Sequence, residues 1–314
     1  MKKLNSKLQA LCLALQKRVN VEQIHLHELM SAHTTFKIGG PADIFIEPAN
    51  MTELSLVMEE IGKARVPMTI HGVGSNVLVR DGGIRGVVVS LANMKQKLAC
   101  QDTVITAGAG YMLKDVSEFA WRHSLTGLEF AIGIPGSLGG AVFMNAGAYD
   151  GEMSQVVHAV RAVGRDGVIR EYVGPALDFA YRHSLFHDNG EIIGEIDLQL
   201  QLGQADKIKE RMDELTVRRE SKQPLEYPSA GSTFKRPTGY YAGTLIEQTG
   251  LKGLSVGDAQ VSEKHAGFVI NKGAATARDV LGVIHEVQRR VMDAHGVQLE
   301  PEVRLIGEDV DTSK

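Results

Sequence analysis

The run FAIGIPGSLGGAVFMNAG, residues 130–147, constrains this chain more than any other stretch. Gly133, Gly136, Gly139, Gly140 and Gly147 punctuate apolar sequence whose polar side chains are Ser137 and Asn145. Residues without a Cβ serve two purposes, tight turns and bulges in a strand-rich domain, or close approach of the backbone to a ligand. A second cluster, His71-Gly72-Val73-Gly74-Ser75-Asn76, poses the same choice. Neither fits a familiar template. The position where a dinucleotide fingerprint would place its third glycine is Val77, and no Gly-Lys-Ser/Thr of a phosphate-binding P-loop occurs. The physics behind those templates is general, since consecutive N–H groups free of Cβ atoms can approach phosphate oxygens. Taken together, with Ser75, Asn76 and Ser137 as added donors, the clusters favour a diphosphate ligand. Either alone leaves both readings open.

The chain is long enough for that ligand to sit on a multi-part fold. At 314 residues it exceeds one typical core and implies two or three packed domains. From Pro41 to Leu91 strands alternate with a helix capped by Asn50. Next come a strand TVITAGAG and an amphipathic helix carrying Leu113, Val116, Phe119 and Ala120 on one face. After the glycine run, VVHAVRAVG and VIREYV flank an Asp166-Gly167 hairpin signal, and EIIGEIDLQLQL reads as a long strand. The charged stretch Asp206 to Lys222 reads as a helix with a solvated face. Beyond it lie a helix near TLIEQTG, strands DAQVS and FVINK, a helix opening at Thr276 with a capping box, and a last strand in EVRLIG. The first of these stretches reads as a small α/β unit and strands dominate the next, with expected divisions at 1–91, 92–203 and 204–314.

Composition removes several function classes. A net charge of −4 from interspersed signs gives no global attraction to nucleic acid, and 5% aromatic residues leave little for base stacking. No stretch approaches membrane-spanning length. ALCLAL near the start lacks a cleavage site, and Leu4, Leu8, Leu11 and Leu15 recur at helical spacing instead. Cys12 and Cys100 have no metal-ligand spacing and read as reduced thiols of a cytosolic protein. His71, His183 and His187 lack a second ligand type at helical spacing, so no metal is expected.

GVGSNVLV, GIPGSLGGAVFMNAGAYDGEM, YRHSLF, SAGSTFKRP and LEPEVRLIG are similar, in order and spacing, to the UDP-N-acetylenolpyruvoylglucosamine reductase family, from about Thr35 to Gly307. The resemblance implies a two-lobed FAD-binding domain of the vanillyl-alcohol-oxidase type, a smaller C-terminal α+β substrate domain, and non-covalent FAD reduced by NADPH. It places the cofactor against Gly72, Gly74, Ser75 and Asn76, and against Gly133, Ile134, Pro135, Gly136, Ser137, Gly139, Gly140, Ala141, Asn145 and Gly147. The short spacing from Arg182 to Ser232 resembles the form of the family without a tyrosine-loop insertion.

Reduction of an enolpyruvyl ether needs a hydride, stabilisation of charge beside the substrate carboxylate, and a proton returned to carbon. No side chain supplies hydride, which a reduced flavin does. Arg182 matches the family's catalytic arginine, whose planar fork suits a carboxylate. Ser232 matches its proton donor and Glu302 its third catalytic position. Glu300 stands two residues away on the same side of an extended segment, so alternation alone does not separate the two acids. Lys235 and Tyr181 are candidate substrate contacts. Without the resemblance Arg182 would read as a surface ion-pair residue, Ser232 as a turn serine and Lys235 as a solvated lysine. Tyr240 and Tyr241 fit either a sugar or base platform or a core. The expected partners are small molecules, NADPH and a UDP-sugar enolpyruvyl ether, with no nucleic acid and no membrane. Two other readings compete: a flavin oxidase of the same superfamily, with no reason to possess SAGSTFKRP and LEPEVRLIG, and a non-catalytic flavin or nucleotide-sugar carrier.

Overall fold

Side-chain caps fix the helix starts. Asn5, Asn50 and Thr276 each accept a backbone N–H from the first turn of the helices Ser6–Leu15, Met51–Ala64 and Ala277–His295. Asp279 returns the bond to the Thr276 N–H and completes the expected capping box. The computed structural model describes residues 4–310. Leu4 precedes the first helix rather than joining it, because Asn5 is the cap. The buried face is Leu8, Leu11, Cys12 and Leu15.

The chain's own contacts divide it into two units. One comprises the chain before His27, Asp43–Val73 and Gly86–Arg219; the other comprises His27–Ala42, Gly74–Arg85 and the chain from Glu220. These breaks differ from the linear ones at 91 and 203. The strand Val77–Val79 pairs in parallel with Arg304–Ile306, and that pairing carries an early excursion into the second unit.

A sheet that lies mostly in the first unit holds Pro41–Ile46, Ile84–Ser90 and Met68–His71 in that order, and Met51–Ala64 precedes the parallel strand Met68–His71. A five-stranded antiparallel sheet follows, ordered Ile169–Val173, Val157–Val163, Ile192–Gln199, Val104–Gly108, Leu98–Gln101. The expected hairpin at Asp166-Gly167 joins its first two strands, with Gly167 at φ +76°. Helices Met51–Ala64 and Leu113–Arg122 contribute Leu54, Met58, Leu113 and Val116 to this unit's core.

The second unit is built on an antiparallel sheet ordered Ser229–Ser232, Phe268–Asn271, Ala259–Val261, Ser255–Val256. Ala277–His295 buries Val280, Val283, Ile284, Val287 and Val291 in its core. Asp81 caps this helix from a distant part of the sequence, accepting the N–H groups of Ala277 at 2.8 Å and Arg278 at 3.1 Å. None of the described helices is long and apolar enough to cross a membrane.

Candidate active site

Inside the glycine run the chain forms a short helix, Leu138–Phe143, rather than only turns and bulges. Two facts explain a helix in so glycine-rich a segment. Ser137, buried, caps it by accepting the Gly140 N–H, and Gly139 lets it lie against Ala109, where an added Cβ would stand 2.7 Å from Ala109 Cβ. The carbonyls of Tyr111 and Ala109 accept the N–H groups of Leu138 (2.8 Å) and Gly139 (2.9 Å), so packing engages those amides. Gly140 and Pro135 remain exposed. Gly72 of the other glycine cluster meets the run within this unit, since a Cβ there would come 2.9 Å from Ser137 Oγ.

At the head of the run, a Cβ on Gly133 would lie 2.8 Å from Arg219 Cδ. Arg219 projects from the helix Ala205–Lys222, which is anchored by Ile208, Met212 and Leu215 packed on Ile132. Its Nε is buried with no hydrogen-bond partner, and burial pushes the guanidinium below the usual arginine range. A buried donor left without a partner costs about 1–3 kcal/mol, more when the group is charged. An orphaned cationic donor beside a glycine-lined loop therefore fits an anionic, acceptor-rich group such as FAD.

The far end of the run holds the turn that carries Arg182. Ala180 and His183 exchange backbone hydrogen bonds, N–H of Ala180 to O of His183 at 3.2 Å and the reverse at 3.1 Å, so Tyr181 and Arg182 occupy the tip. Arg182 adopts φ +56°, a left-handed conformation that arginine rarely takes and that the surroundings must hold in place. Three contacts hold it. Asn145 Nδ2 donates to Ala180 O at 3.1 Å, Ser184 Oγ donates to Phe143 O at 2.8 Å, and His187 stacks on Phe143 with centroids 3.8 Å apart. Asn145 is itself buried. Its Nδ2 also donates to Glu152 Oε1 at 3.2 Å, and its Oδ1 accepts the Ser154 N–H at 2.9 Å. Its side chain, a candidate cofactor contact in the sequence, is thus bonded to protein. Gly147 and Ala148 pair with Glu152 and Gly151, with Tyr149 and Asp150 at the left-handed tip, so these residues shape the loop. The Arg182 guanidinium lies over the Tyr181 ring, 4.9 Å from its centroid. His183 stands 3.3 Å from Asp188 and 3.7 Å from Asp178, a partly exposed pair of contacts that acts as ion pairs when the imidazole is protonated.

The second unit brings the GSN loop, Ser232 and Glu302 onto bonded segments. Gly74, at φ +67°, accepts the Thr35 N–H at 3.1 Å, and Thr35 Oγ1 donates to Ser229 O at 2.7 Å, at the start of the strand that ends in Ser232. Asn76 O accepts the Arg304 N–H at 3.0 Å. Glu302 donates its N–H at 2.8 Å to the carbonyl of Thr233, the residue that follows Ser232, next to an isolated bridge between Phe234 and Pro301. Ser232 is exposed and Glu302 half-buried. Alternation left Glu300 and Glu302 equivalent, but the fold separates them. Glu300 pairs with Lys235, Oε2 to Nζ at 3.1 Å, with Lys235 N–H on Glu300 O at 2.8 Å. Tyr240 and Tyr241 are exposed at 49% and 61%, which removes the core reading; Arg236 lies 4.0 Å over the Tyr241 ring.

Known proteins match this arrangement over most of its length. Residues 42–172 match the FAD binding domain family, and residues 223–306 match the UDP-N-acetylenolpyruvoylglucosamine reductase, C-terminal domain. The UDP-N-acetylenolpyruvoylglucosamine reductase of Clostridium perfringens is 51% identical over 290 residues, spanning 92% of this chain and 95% of its own. The chain belongs to the UDP-N-acetylenolpyruvoylglucosamine reductase family. The reductase of Pediococcus pentosaceus is 50% identical, covering 91% of this chain and 95% of its own, and that of Clostridium novyi 48%, covering 98% and 97%. The crystal structure of the Thermus caldophilus reductase superposes with a TM-score of 0.77 at 36% identity, over 89% of this chain and 98% of that one. Within this reductase fold, sequence reasoning missed Thr35 and Arg219. Thr35 carries no motif. Arg219 is hidden in a charged helix whose ion pairs look alike in sequence.

Proposed function

We infer that the protein reduces the enolpyruvyl ether of UDP-N-acetylglucosamine to UDP-N-acetylmuramate, with NADPH as reductant, in peptidoglycan precursor synthesis. FAD, held without a covalent link, supplies the hydride when bound and reduced. In the first unit Gly72 and the run from Gly133 to Gly147 form cofactor-binding backbone, and in the second Gly74, Ser75 and Asn76 do. The linear parts 1–91 and 92–203 make the two cofactor lobes and 204–314 the substrate part. Arg182 offers its planar fork to the substrate carboxylate and offsets the charge that grows there. Ser232 returns a proton to the carbon beside the carboxylate; a hydroxyl is a weak acid, but a carbanion-like species is a strong base. Glu302 serves as the second acid, stabilising that species through a shared proton. Tyr181 and Lys235 contact substrate at its edge. The short connection from Arg182 to Ser232 fits the form of the family lacking the tyrosine loop. The free thiols Cys12 and Cys100 fit work in the cytoplasm.

The hydrogen-bonded pairing of the Ser232 and Glu302 segments carries this reading. Anaerobic half-reactions test it. NADPH should bleach the flavin spectrum of the purified protein, and the enolpyruvyl substrate should restore it. Ser232→Ala should leave bleaching intact and slow recovery by about 10²-fold or more, since only recovery needs a proton on carbon. Bleaching without substrate-dependent recovery in the parent overturns the assignment, and equal slowing of both steps in the variant makes Ser232 structural.

A further inference from the structure

Arg219 differs in kind from Arg161, another partly buried arginine of the first unit. Arg161 is surrounded by carboxylates, with Glu195 at 2.5 Å, Asp197 at 2.7 Å and Glu171 at 3.0 Å. Arg219 has none within ion-pair reach among the described residues, and its Nε is buried without a bond. Its position is fixed nonetheless. Leu215, one turn earlier on the same helix face, packs with Ile132, while the helix start is tied down by Trp121 Nε1 donating to Ala205 O at 3.0 Å. The stem lies against Gly133, where any side chain would displace it. The cluster that anchors its helix is apolar and aromatic, with Ile132 buried in it and Tyr149 at its edge, and Arg218 lies over the Tyr149 ring at 5.0 Å. Burial without a counter-charge disfavours the guanidinium, as its lowered pKa reflects.

We propose that Arg219 is the cationic partner of the flavin ring, its guanidinium donating to the N1 and C2-carbonyl edge that gains negative charge on reduction. The proposal rests on FAD binding by this chain and deepens it. An apolar and aromatic wall suits a planar ring, and a fixed cation at that edge favours the reduced form and raises the midpoint potential. The diphosphate is the alternative target. It would need the same charge but no ring-dependent effect, so affinity and potential together separate the two.

The test compares Arg219→Met with the parent as full-length chains, with and without flavin. Methionine keeps the apolar stem and removes the unpaired charge. FAD affinity should fall at least about tenfold, the loss of one charge-assisted hydrogen bond. The midpoint potential should become more negative. ADP, which carries the diphosphate but no flavin, should bind both proteins equally. The melting temperature of the flavin-free variant should equal or exceed that of the parent, because a buried donor without a partner is gone. Arg219→Lys should restore most of the potential, since it restores the charge. Unchanged FAD affinity and potential overturn the proposal, as does a parallel loss of ADP affinity. A lower melting temperature of the flavin-free variant also overturns it, by making Arg219 structural. A parent that binds no flavin would sink the functional reading itself, a distinguishable result.

Discussion

Asn145 Nδ2 donates to the carbonyl of Ala180 at 3.1 Å, so the glycine run grips the turn that presents Arg182. Arg182 holds a left-handed φ of +56°, which costs on the order of 1–3 kcal/mol and persists only under such restraint. Asn145→Ala should therefore act through Arg182. Recovery of the oxidised flavin by substrate should slow about tenfold or more while reduction by NADPH stays near the parent rate. In an Arg182→Ala background the same change should add little. Stopped-flow half-reactions on the double-mutant cycle check this, and additive losses would refute it.

The two C-terminal acids should separate in function. Glu300 sits in an exposed ion pair with Lys235, so Glu300→Gln should alter stability by less than ~1 kcal/mol and leave turnover nearly intact. Glu302→Gln should reduce turnover about 10²-fold. Steady-state kinetics on both variants decides, and the reverse order would transfer the catalytic role to Glu300.

Glycines 139 and 140 should respond oppositely to alanine. At Gly139 a Cβ would press on Ala109 at 2.7 Å, so Gly139→Ala should cost about 1–3 kcal/mol in denaturant unfolding. At Gly140 the nearest atom would be Ser137 Oγ at 3.4 Å, an ordinary contact on an exposed helical position. Gly140→Ala should therefore keep or raise stability, by up to ~1 kcal/mol from helix propensity, and any loss of FAD affinity there reports a ligand contact.

Acid should weaken the five-stranded sheet through Asp197. Burial alone would raise this carboxyl, but hydrogen bonds from Arg161 and Thr106 outweigh it and hold it below the usual value of 3.8. A lowered folded pKa adds stability that is fully present above the ordinary value and disappears as pH falls through the folded one. The melting temperature of the parent should drop as pH falls below the ordinary carboxyl value of 3.8 and through the lower folded value. Asp197→Asn should melt lower at neutral pH and show a shallower acid decline. Parallel pH curves would show that the ion pair contributes nothing.

Much of this was legible locally. Caps at Asn50 and Thr276 and the Asp166-Gly167 hairpin are short-range signals, and the structure repeats them. The helix at Leu138–Phe143 was not, because its cap and its packing partner Ala109 matter more than the poor helix propensity of its glycines. Nor was the allocation of Val77–Val79 to the second unit, which depends on pairing with Arg304–Ile306.

The sequence by itself determined the α+β class, the family motifs and the residue types that the chemistry requires, since these reside in spacing and side-chain identity. Tertiary structure alone decided which acid is tied to Lys235, which asparagine restrains Arg182, and which arginine of a charged helix has its Nε buried without a partner. Those distinctions come from neighbours far apart along the chain. Burial and hydrogen-bond partners, which give each side chain its charge and freedom, are set there and not by local pattern.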